Sequence, residues 1–228
     1  MIGGFPHRQE DSFFHLAIER LRKQTEINLV SSVFTLGGFP ITRVPKHLGA
    51  RCLNEQPDIV VLQFASSDLI VPLRKHHHGG SSSPVHIKVS TNLPAFGDRL
   101  KWHCQSLIGD GLRLKPVTPP EIYLETMHSL ALTLLKHQVI PVVLSPFVFG
   151  GRRSDRIALD CGERLQQIIN SIPNAIYVDA YSALDRHPRW LMLLSDGSHL
   201  SLAGQKVVAE ALFPCLKRLV QDRVWLSR

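Results

Sequence analysis

Apolar residues alternate along the chain between two patterns, one typical of helices and one typical of strands. Behind Asp11 and Ser12, the stretch FFHLAIERLRK has apolar side chains at helical spacing, and serine is a frequent helix-capping residue. Further helices are predicted at residues 119–137, at about 155–171 and at about 201–222, with a weakly helical stretch around 43–55.

Short apolar runs between these segments predict strands at INLVSSVF (27–34), PDIVVLQFA (57–65), VIPVVLSP (139–146) and AIYVDA (175–180). The run at 57–65 is continuously apolar after a proline, which is typical of a strand buried on both faces. Strands that alternate with helices predict a central parallel sheet covered on both faces, so the expected fold class is a three-layer α/β/α sandwich. Such folds bind ligands at the carboxyl ends of their strands.

The length of 228 residues is consistent with one domain over residues 1–228. The alternation of predicted strands and helices is interrupted by an insertion at about 70–117, which contains RKHHHGGSSSP and then mixed polar sequence. A connection of this length in a compact domain is usually functional, or disordered in part.

The formal net charge of the chain is +7 and its sequence pI is near 9.5, which is compatible with an anionic partner such as a nucleic acid. The basic residues are spread along the chain without a long Lys/Arg run, and no nucleic-acid-binding signature is present. We therefore expect a solvated basic surface and no nucleic-acid partner.

Four cysteines, Cys52, Cys104, Cys161 and Cys215, stand far apart and form no C-x-x-C pair, which predicts free thiols rather than a zinc site or disulfides. No run of 18 apolar residues is present, so no membrane span is expected. The start MIGGFPHRQED lacks the charged and apolar regions of a secretory signal, and a cytoplasmic protein is expected.

The stretch SDGSHLSLAGQ carries the best candidate chemistry, because Asp196 and His199 lie three residues apart just before a predicted helix. A loop there lets the carboxylate accept from one imidazole nitrogen and leaves the other nitrogen as a base. A structural alternative stays open, in which Asp196 caps the helix and His199 is a core histidine.

DGSHLSLAGQ resembles the last block of the SGNH (GDSL-type) hydrolases, including its H-L-S-x-x-G pattern at His199, Leu200, Ser201 and Gly204. PDIVVLQFASSD is similar to the third block, and GGFP at 37–40 stands where the second block is expected. Outside the insertion, the order of strands and helices also agrees.

This resemblance implies a flavodoxin-like sandwich and the hydrolysis or transfer of an acyl ester, with a small ester or acylated glycan as substrate. His199 would take the proton of the nucleophile and Asp196 would orient the imidazole. No cofactor and no metal are implied.

The first block departs from the family pattern of Gly-Asp-Ser, whose serine is the nucleophile. In MIGGFPHRQEDSFF, Gly3 and Gly4 match the turn, but Phe5 occupies the position of the serine. Only Met1 and Ile2 precede this turn, so the strand that the family has there is nearly absent.

The third block departs as well, with Ala65 in place of its glycine and Ser67 in place of its asparagine, whose side-chain amide normally donates to the oxyanion. The best available oxyanion donors are therefore the amides of Gly4 and Gly38 and the hydroxyl of Ser67.

Three interpretations follow for the chemistry. The chain is an esterase or acyltransferase whose nucleophile has moved, with Ser12 and Ser32 as candidates; or it is an inactive pseudo-hydrolase that binds a ligand or protein; or the Asp–His pair is structural. A carboxyl-end strand position would favour Ser32, whereas a helix start would make Ser12 a cap.

Two further features of the sequence are weaker indications of a binding site. His76–His78 are imidazoles that could bind a transition metal, but neighbours in one turn-rich loop seldom form a geometric site. Arg152 and Arg153 follow a predicted strand and could hold a carboxylate or phosphate, but a solvated loop is the preferred interpretation.

Overall fold

A computed structural model describes residues 8–25, 27–34, 40–64, 68–69, 91–111, 115–147, 152–197 and 199–224. The helices are α1 (Phe13–Gln24), α2 (Val44–His47), α3 (Phe96–Gly111), α4 (Pro120–Lys136), α5 (Arg152–Asn170), α6 (Ala180–Asp185), α7 (Arg189–Met192) and α8 (Leu202–Val224). The strands are β1 (Ile59–Leu62), β2 (Ile140–Leu144) and β3 (Ile176–Val178). Short helical turns of other types flank α2, at Ile41–Arg43, Leu48–Cys52 and Leu53–Glu55.

The three strands form a parallel sheet in the order β1-β2-β3. Ile59 lies opposite Ile140, and Val142 lies opposite Ile176. Helices α3 and α4 connect β1 to β2, and α5 connects β2 to β3. The connections are long because parallel neighbours need a crossover from the end of one strand back to the start of the next.

Helices cover both faces of the sheet, and β2 shows how the sequence arranges this. Val142 and Leu144 pack into one apolar cluster with α1, α6 and α8, while Val143 packs into the other cluster with α4 and α5. Side chains of a strand alternate between its faces, so an apolar run of this kind buries both. The predicted α/β sandwich with a parallel sheet is confirmed.

The predicted first helix is confirmed, and so is its cap. The Ser12 hydroxyl accepts a hydrogen bond from the His15 amide at 3.3 Å, which satisfies one of the unpaired amides of the first turn of α1. The buried side of α1 includes Ala17 and Leu21 and packs against α8. Burying a leucine of this kind stabilises the fold by about 1.5–3 kcal/mol.

The prediction of a strand at residues 27–34 is wrong for the part of the chain that the structure describes. These residues form no ladder with a described strand, although their exposure alternates strictly from one residue to the next. The β-branched composition favours an extended backbone, but a strand also needs a neighbour to pair with, and a cavity lies between this segment and β1. That cavity also leaves Ile59, Val60 and Val61 only partly buried, less than the sequence predicts.

Part of the predicted insertion is regular. Helix α3 occupies its second half, where the mixed sequence shows no clear periodicity. The described helices include none that is long and apolar enough to cross a membrane. The four cysteines are free, and burial raises the pKa of the Cys161 thiol to about 12, which keeps it unreactive.

Candidate active site

Asp196 and His199 lie in a tight turn between α7 and α8. Leu193 and Leu200 form an antiparallel bridge at its base, and the Leu194 amide donates to the His199 carbonyl at 2.9 Å. Inside the turn, the Gly197 amide donates to the Leu194 carbonyl at 2.9 Å. These main-chain bonds hold the backbone of Asp196 and His199 in place independently of any contact between their side chains.

The Asp196 carboxylate binds His199 twice. Its Oδ2 lies 2.5 Å from Nδ1 of the imidazole, and its Oδ1 accepts from the His199 amide at 3.0 Å. With Nδ1 as the donor to this carboxylate, Nε2 is the basic nitrogen of the neutral ring. The Asp196 side chain is 28% exposed and the His199 side chain is 33% exposed. His199 is therefore not a core histidine, and its ring is accessible to a ligand from solvent.

Ser201 and Gly204 anchor the turn to α8 and explain the H-L-S-x-x-G spacing physically. The Ser201 hydroxyl donates to the Leu191 carbonyl and accepts from the Gly204 amide at 3.1 Å, which makes it a cap for the first turn of α8. A Cβ on Gly204 would lie 2.4 Å from the Met192 carbonyl oxygen. Only glycine allows the helix to approach the chain this closely.

The turn is also tied to the elements that follow the strands. Arg189, the first residue of α7, forms an ion pair of 2.6 Å with Asp155 in the first turn of α5, the helix after β2. The Phe13 amide at the start of α1 donates to the Gln205 side chain in α8 at 2.9 Å. The start of α7 is thereby linked to the start of α5, and the start of α1 to the first turn of α8.

Helix α3 of the insertion packs onto this turn through Trp102. The indole Nε1 donates to the Ser195 carbonyl at 3.3 Å, and the same nitrogen would lie 2.7 Å from a Cβ at Gly197. Gly197 has a φ of +73°, which glycine adopts without strain. Gly197 follows an aspartate, a pairing common in turns, and it also makes room for the indole.

Two further contacts join the insertion to the same region. The Ser195 amide donates to the Asn92 carbonyl at 3.1 Å, and the Arg99 guanidinium lies 4.7 Å from the ring centre of Trp190 in α7. None of these residues stood out in the sequence, because the contacts join positions about 90–100 residues apart. The one available signal was the length of the insertion.

Asp68 is a second acidic group that the sequence did not single out. Its Oδ1 accepts from the Ile41 amide and from the Thr118 hydroxyl, each at 2.8 Å, and its carbonyl accepts from the Thr118 amide at 2.8 Å. The residue is 1% exposed, and burial raises the pKa of its carboxyl while the two hydrogen bonds oppose the rise. Asp68 therefore joins the chain after β1 to the turn at Ile41 and to the start of α4.

This carboxyl should make the free energy of unfolding depend on pH. Because its pKa is higher in the folded protein than the ordinary value of 3.8, folding favours the protonated form, and that contribution is present below pH 4 and is lost as the pH rises through the raised pKa. Asp68→Asn keeps an oxygen that can accept both bonds but does not titrate. We expect urea unfolding between pH 4 and 7 to show this fall for the unaltered chain and not for Asp68→Asn.

A matched control for that experiment is Asp222→Asn, which removes a carboxylate exposed near the end of α8. Its curve should run parallel to that of the unaltered chain. If the Asp68→Asn curve does so too, the buried carboxyl is not the source of the pH dependence.

The other predicted site residues fall in three groups. Gly4, Phe5, Gly38, Ser67 and His76–His78 lie outside the described residues. Ser12 is 1% exposed and serves as a helix cap, and Ser32 is exposed beside the cavity at β1 on a segment that is not a strand. Arg152 and Arg153 begin α5 rather than lie in a loop. Within the described ranges, no group of three His, Cys, Asp or Glu side chains is arranged to hold a metal ion.

No family model matches the chain, and no curated protein matches it in sequence. Solved structures do match. An acetylxylan esterase from Geobacillus stearothermophilus gives a TM-score of 0.60 at 16% identity, over 89% of this chain and 80% of that one. A protein assigned to the lipolytic G-D-S-L family from Desulfitobacterium hafniense gives a TM-score of 0.58 at 14% identity, over 92% of this chain and 91% of that one.

The chain has the SGNH hydrolase fold. A lipase/acylhydrolase from Enterococcus faecalis agrees with this, with a TM-score of 0.57 at 15% identity over 90% of this chain and 84% of that one. Identities this low show the fold alone, so the chemistry of the SGNH-fold chain must be argued from its own residues.

Proposed function

We propose that this protein hydrolyses or transfers the acyl group of a small ester or acylated glycan, with His199 as general base and Asp196 as the group that orients it. The supporting observation is the double contact of one carboxylate with the ring and the amide of a partly exposed histidine. The similar solved structures, which include an acetylxylan esterase and a lipase/acylhydrolase, favour ester chemistry over other uses of such a pair.

The proposed reaction begins when Nε2 of His199 removes a proton from the attacking hydroxyl or water as its oxygen bonds to the ester carbonyl carbon. The imidazolium that forms is stabilised by the Asp196 carboxylate at Nδ1. When the tetrahedral intermediate collapses, the C–O bond to the alcohol breaks and the leaving oxygen takes the proton back from Nε2. With water or an acceptor alcohol as the attacking group, proton and charge are then back in their starting places. If the hydroxyl belongs to the protein, the acyl group is now bonded to it, and a water or acceptor alcohol repeats both steps on that acyl-enzyme and restores the hydroxyl.

Phe5 is the specific observation that favours the second candidate, an inactive pseudo-hydrolase. A phenylalanine at the position that resembles the family's nucleophile offers no oxygen for attack. The unaltered chain is accordingly expected to turn over a short acyl ester weakly, through water or another hydroxyl, or not at all.

The test is to supply the missing hydroxyl with Phe5→Ser. If the Asp–His pair is competent, this variant should hydrolyse a short acyl ester about 100-fold or more faster than Phe5→Ala, which removes the same aromatic ring without adding oxygen. An organophosphonate ester should also become bonded to residue 5, which mass spectrometry of the digested protein detects.

Melting curves must come first, because replacing a phenylalanine by a small residue costs about 3–5 kcal/mol wherever its ring is part of a core. A hydroxyl misplaced by about 1 Å can lose roughly 100-fold in rate, and the phosphonate label still reports an activated serine in that case. A Phe5→Ser protein that melts like Phe5→Ala, stays inert and takes no label would contradict the hydrolase proposal and favour the pseudo-hydrolase.

A further inference from the structure

The insertion contacts the chain on both sides of Asp196. Ser195, the residue before it, donates its amide to the Asn92 carbonyl at 3.1 Å, and its carbonyl accepts from the Trp102 indole at 3.3 Å. Gly197, the residue after it, lies against the same indole, because a Cβ there would lie 2.7 Å from Nε1 and 2.8 Å from Cε2. Helix α3 and the segment before it therefore meet the main chain immediately before and immediately after this acidic residue.

The Asp–His turn, residues 193–200, also has hydrogen bonds of its own, such as the bond from the Leu194 amide to the His199 carbonyl. Both bonds that the described residues give to the Ser195 main chain nevertheless come from the insertion. The Ser195 carbonyl and the Asp196 amide belong to one planar peptide unit. A donor that holds this carbonyl therefore also fixes the direction in which the chain enters Asp196.

Helix α3 presents one side to this region. Arg99 and Trp102 are three residues apart and hence neighbours on the helix surface, and the Arg99 guanidinium lies 4.7 Å from the ring centre of Trp190 in α7. Leu100 lies on the other side of α3, because two positions correspond to more than half a turn, and it is 54% exposed. Side chains from one face of α3 thus contact both the Asp–His turn and the helix before it.

We propose that Trp102 is a positioning residue for the Asp–His pair, which keeps the Asp196 carboxylate on Nδ1 of His199 through its hydrogen bond to Ser195 and its packing on Gly197. The contact to be maintained is 2.5 Å between Oδ2 and Nδ1, and hydrogen bonds weaken steeply when distance and angle change. A small rotation of the preceding peptide unit is therefore enough to alter which ring nitrogen carries the proton. The expected effect on rate rests on the proposed function, whereas the expected effect on the ring does not.

The first measurement is the tautomer of the neutral His199 ring, which ¹⁵N NMR of the histidine-labelled chain reports at about pH 9, where an ordinary imidazole is neutral. The signal lost in His199→Ala assigns the ring. In the unaltered chain we expect the proton on Nδ1. In Trp102→Ala the ratio of the Nδ1–H form to the Nε2–H form should fall by about three- to tenfold, the equilibrium effect of one net hydrogen bond.

Two further variants interpret this result. Trp102→Phe keeps an aromatic ring and loses the N–H donor, so a fall of the ratio in both Trp102 variants supports positioning through the hydrogen bond. A fall in Trp102→Ala alone supports positioning through the packing on Gly197. Leu100→Ala is the matched control on the other side of α3 and should leave the ratio unchanged. An unchanged ratio in both Trp102 variants would overturn the proposal, even if their melting temperatures fall, because a merely structural role predicts that result.

The second measurement is the rate of ester hydrolysis in the Phe5→Ser background. Trp102→Ala should lower kcat by about 10- to 100-fold with little change in KM, since a displacement of about 1 Å in a catalytic group can cost roughly 100-fold. The two proposals can fail separately. An inert Phe5→Ser chain whose tautomer ratio still responds to Trp102→Ala contradicts the ester chemistry and supports positioning, whereas an active chain with an unresponsive ratio does the reverse.

A double-mutant comparison tests the contact itself. Gly197→Ala should lower the melting temperature of the unaltered chain for two reasons: the φ of +73° is strained for alanine, and the indole occupies the place of the new Cβ. In the Trp102→Ala chain only the first reason remains, so the same substitution should lower the melting temperature by less. An equal fall in both chains would contradict the contact between Trp102 and Gly197 on which the proposal stands.

Discussion

Replacing His199 with alanine is expected to lower the rate of ester hydrolysis by about 100- to 10,000-fold, which is the usual contribution of a positioned general base. The effect is best measured as kcat in the Phe5→Ser background, and in the unaltered chain wherever turnover is detectable. The fold should be unaffected, because the side chain is a third exposed and the His199 amide keeps its bond to Asp196.

The control is His187→Ala, which removes an exposed histidine between α6 and α7 and should leave the rate unchanged. Asp196→Asn gives a second measurement, since an amide at this place no longer favours the ring tautomer with its basic nitrogen at Nε2. A substantial rate that survives His199→Ala would remove the Asp–His pair from the mechanism.

Gly204→Ala is expected to destabilise the protein by about 1–3 kcal/mol, the cost typical of forcing an extra methyl group into a packed site. The new Cβ would lie 2.4 Å from the Met192 carbonyl oxygen and 3.1 Å from a methyl carbon of Leu200. The first of these atoms belongs to the backbone and cannot rotate away. Relief requires α8 to move from the 191–193 segment, which carries the base of the Asp–His turn.

Gly97→Ala is the matched control, because Gly97 also lies in a helix and a Cβ there would meet nothing within 4 Å. Alanine has a helix propensity about 1 kcal/mol better than glycine, so this variant should be neutral or slightly more stable. Urea unfolding of both variants should therefore give changes of opposite sign. A Gly204→Ala protein as stable as Gly97→Ala would mean that the close approach of α8 is not required.

The sequence alone predicts the elements whose pattern is local. Helix α1 follows from apolar spacing behind a capping serine, and β2 and β3 follow from short apolar runs between helices. The closeness of Asp196 and His199 is local as well, because three residues in one turn bring a carboxylate to an imidazole without help from distant parts of the chain. For the same reason, H-L-S-x-x-G indicates a capped helix start.

Contacts between distant segments decide the rest. Residues 27–34 have the composition of a strand, but pairing needs a neighbouring backbone, and a cavity lies there instead. Trp102 meets Gly197 only because α3 folds back over the turn, and Asp68 is buried because Ile41 and Thr118 supply its hydrogen bonds. Residue type and spacing therefore determined the helices and the Asp–His pair, whereas tertiary packing determined what covers that pair and which backbone edges lack a described partner. Strand pairing and side-chain burial depend on which distant segment lies next to a residue in the folded chain, and the local sequence does not specify that segment.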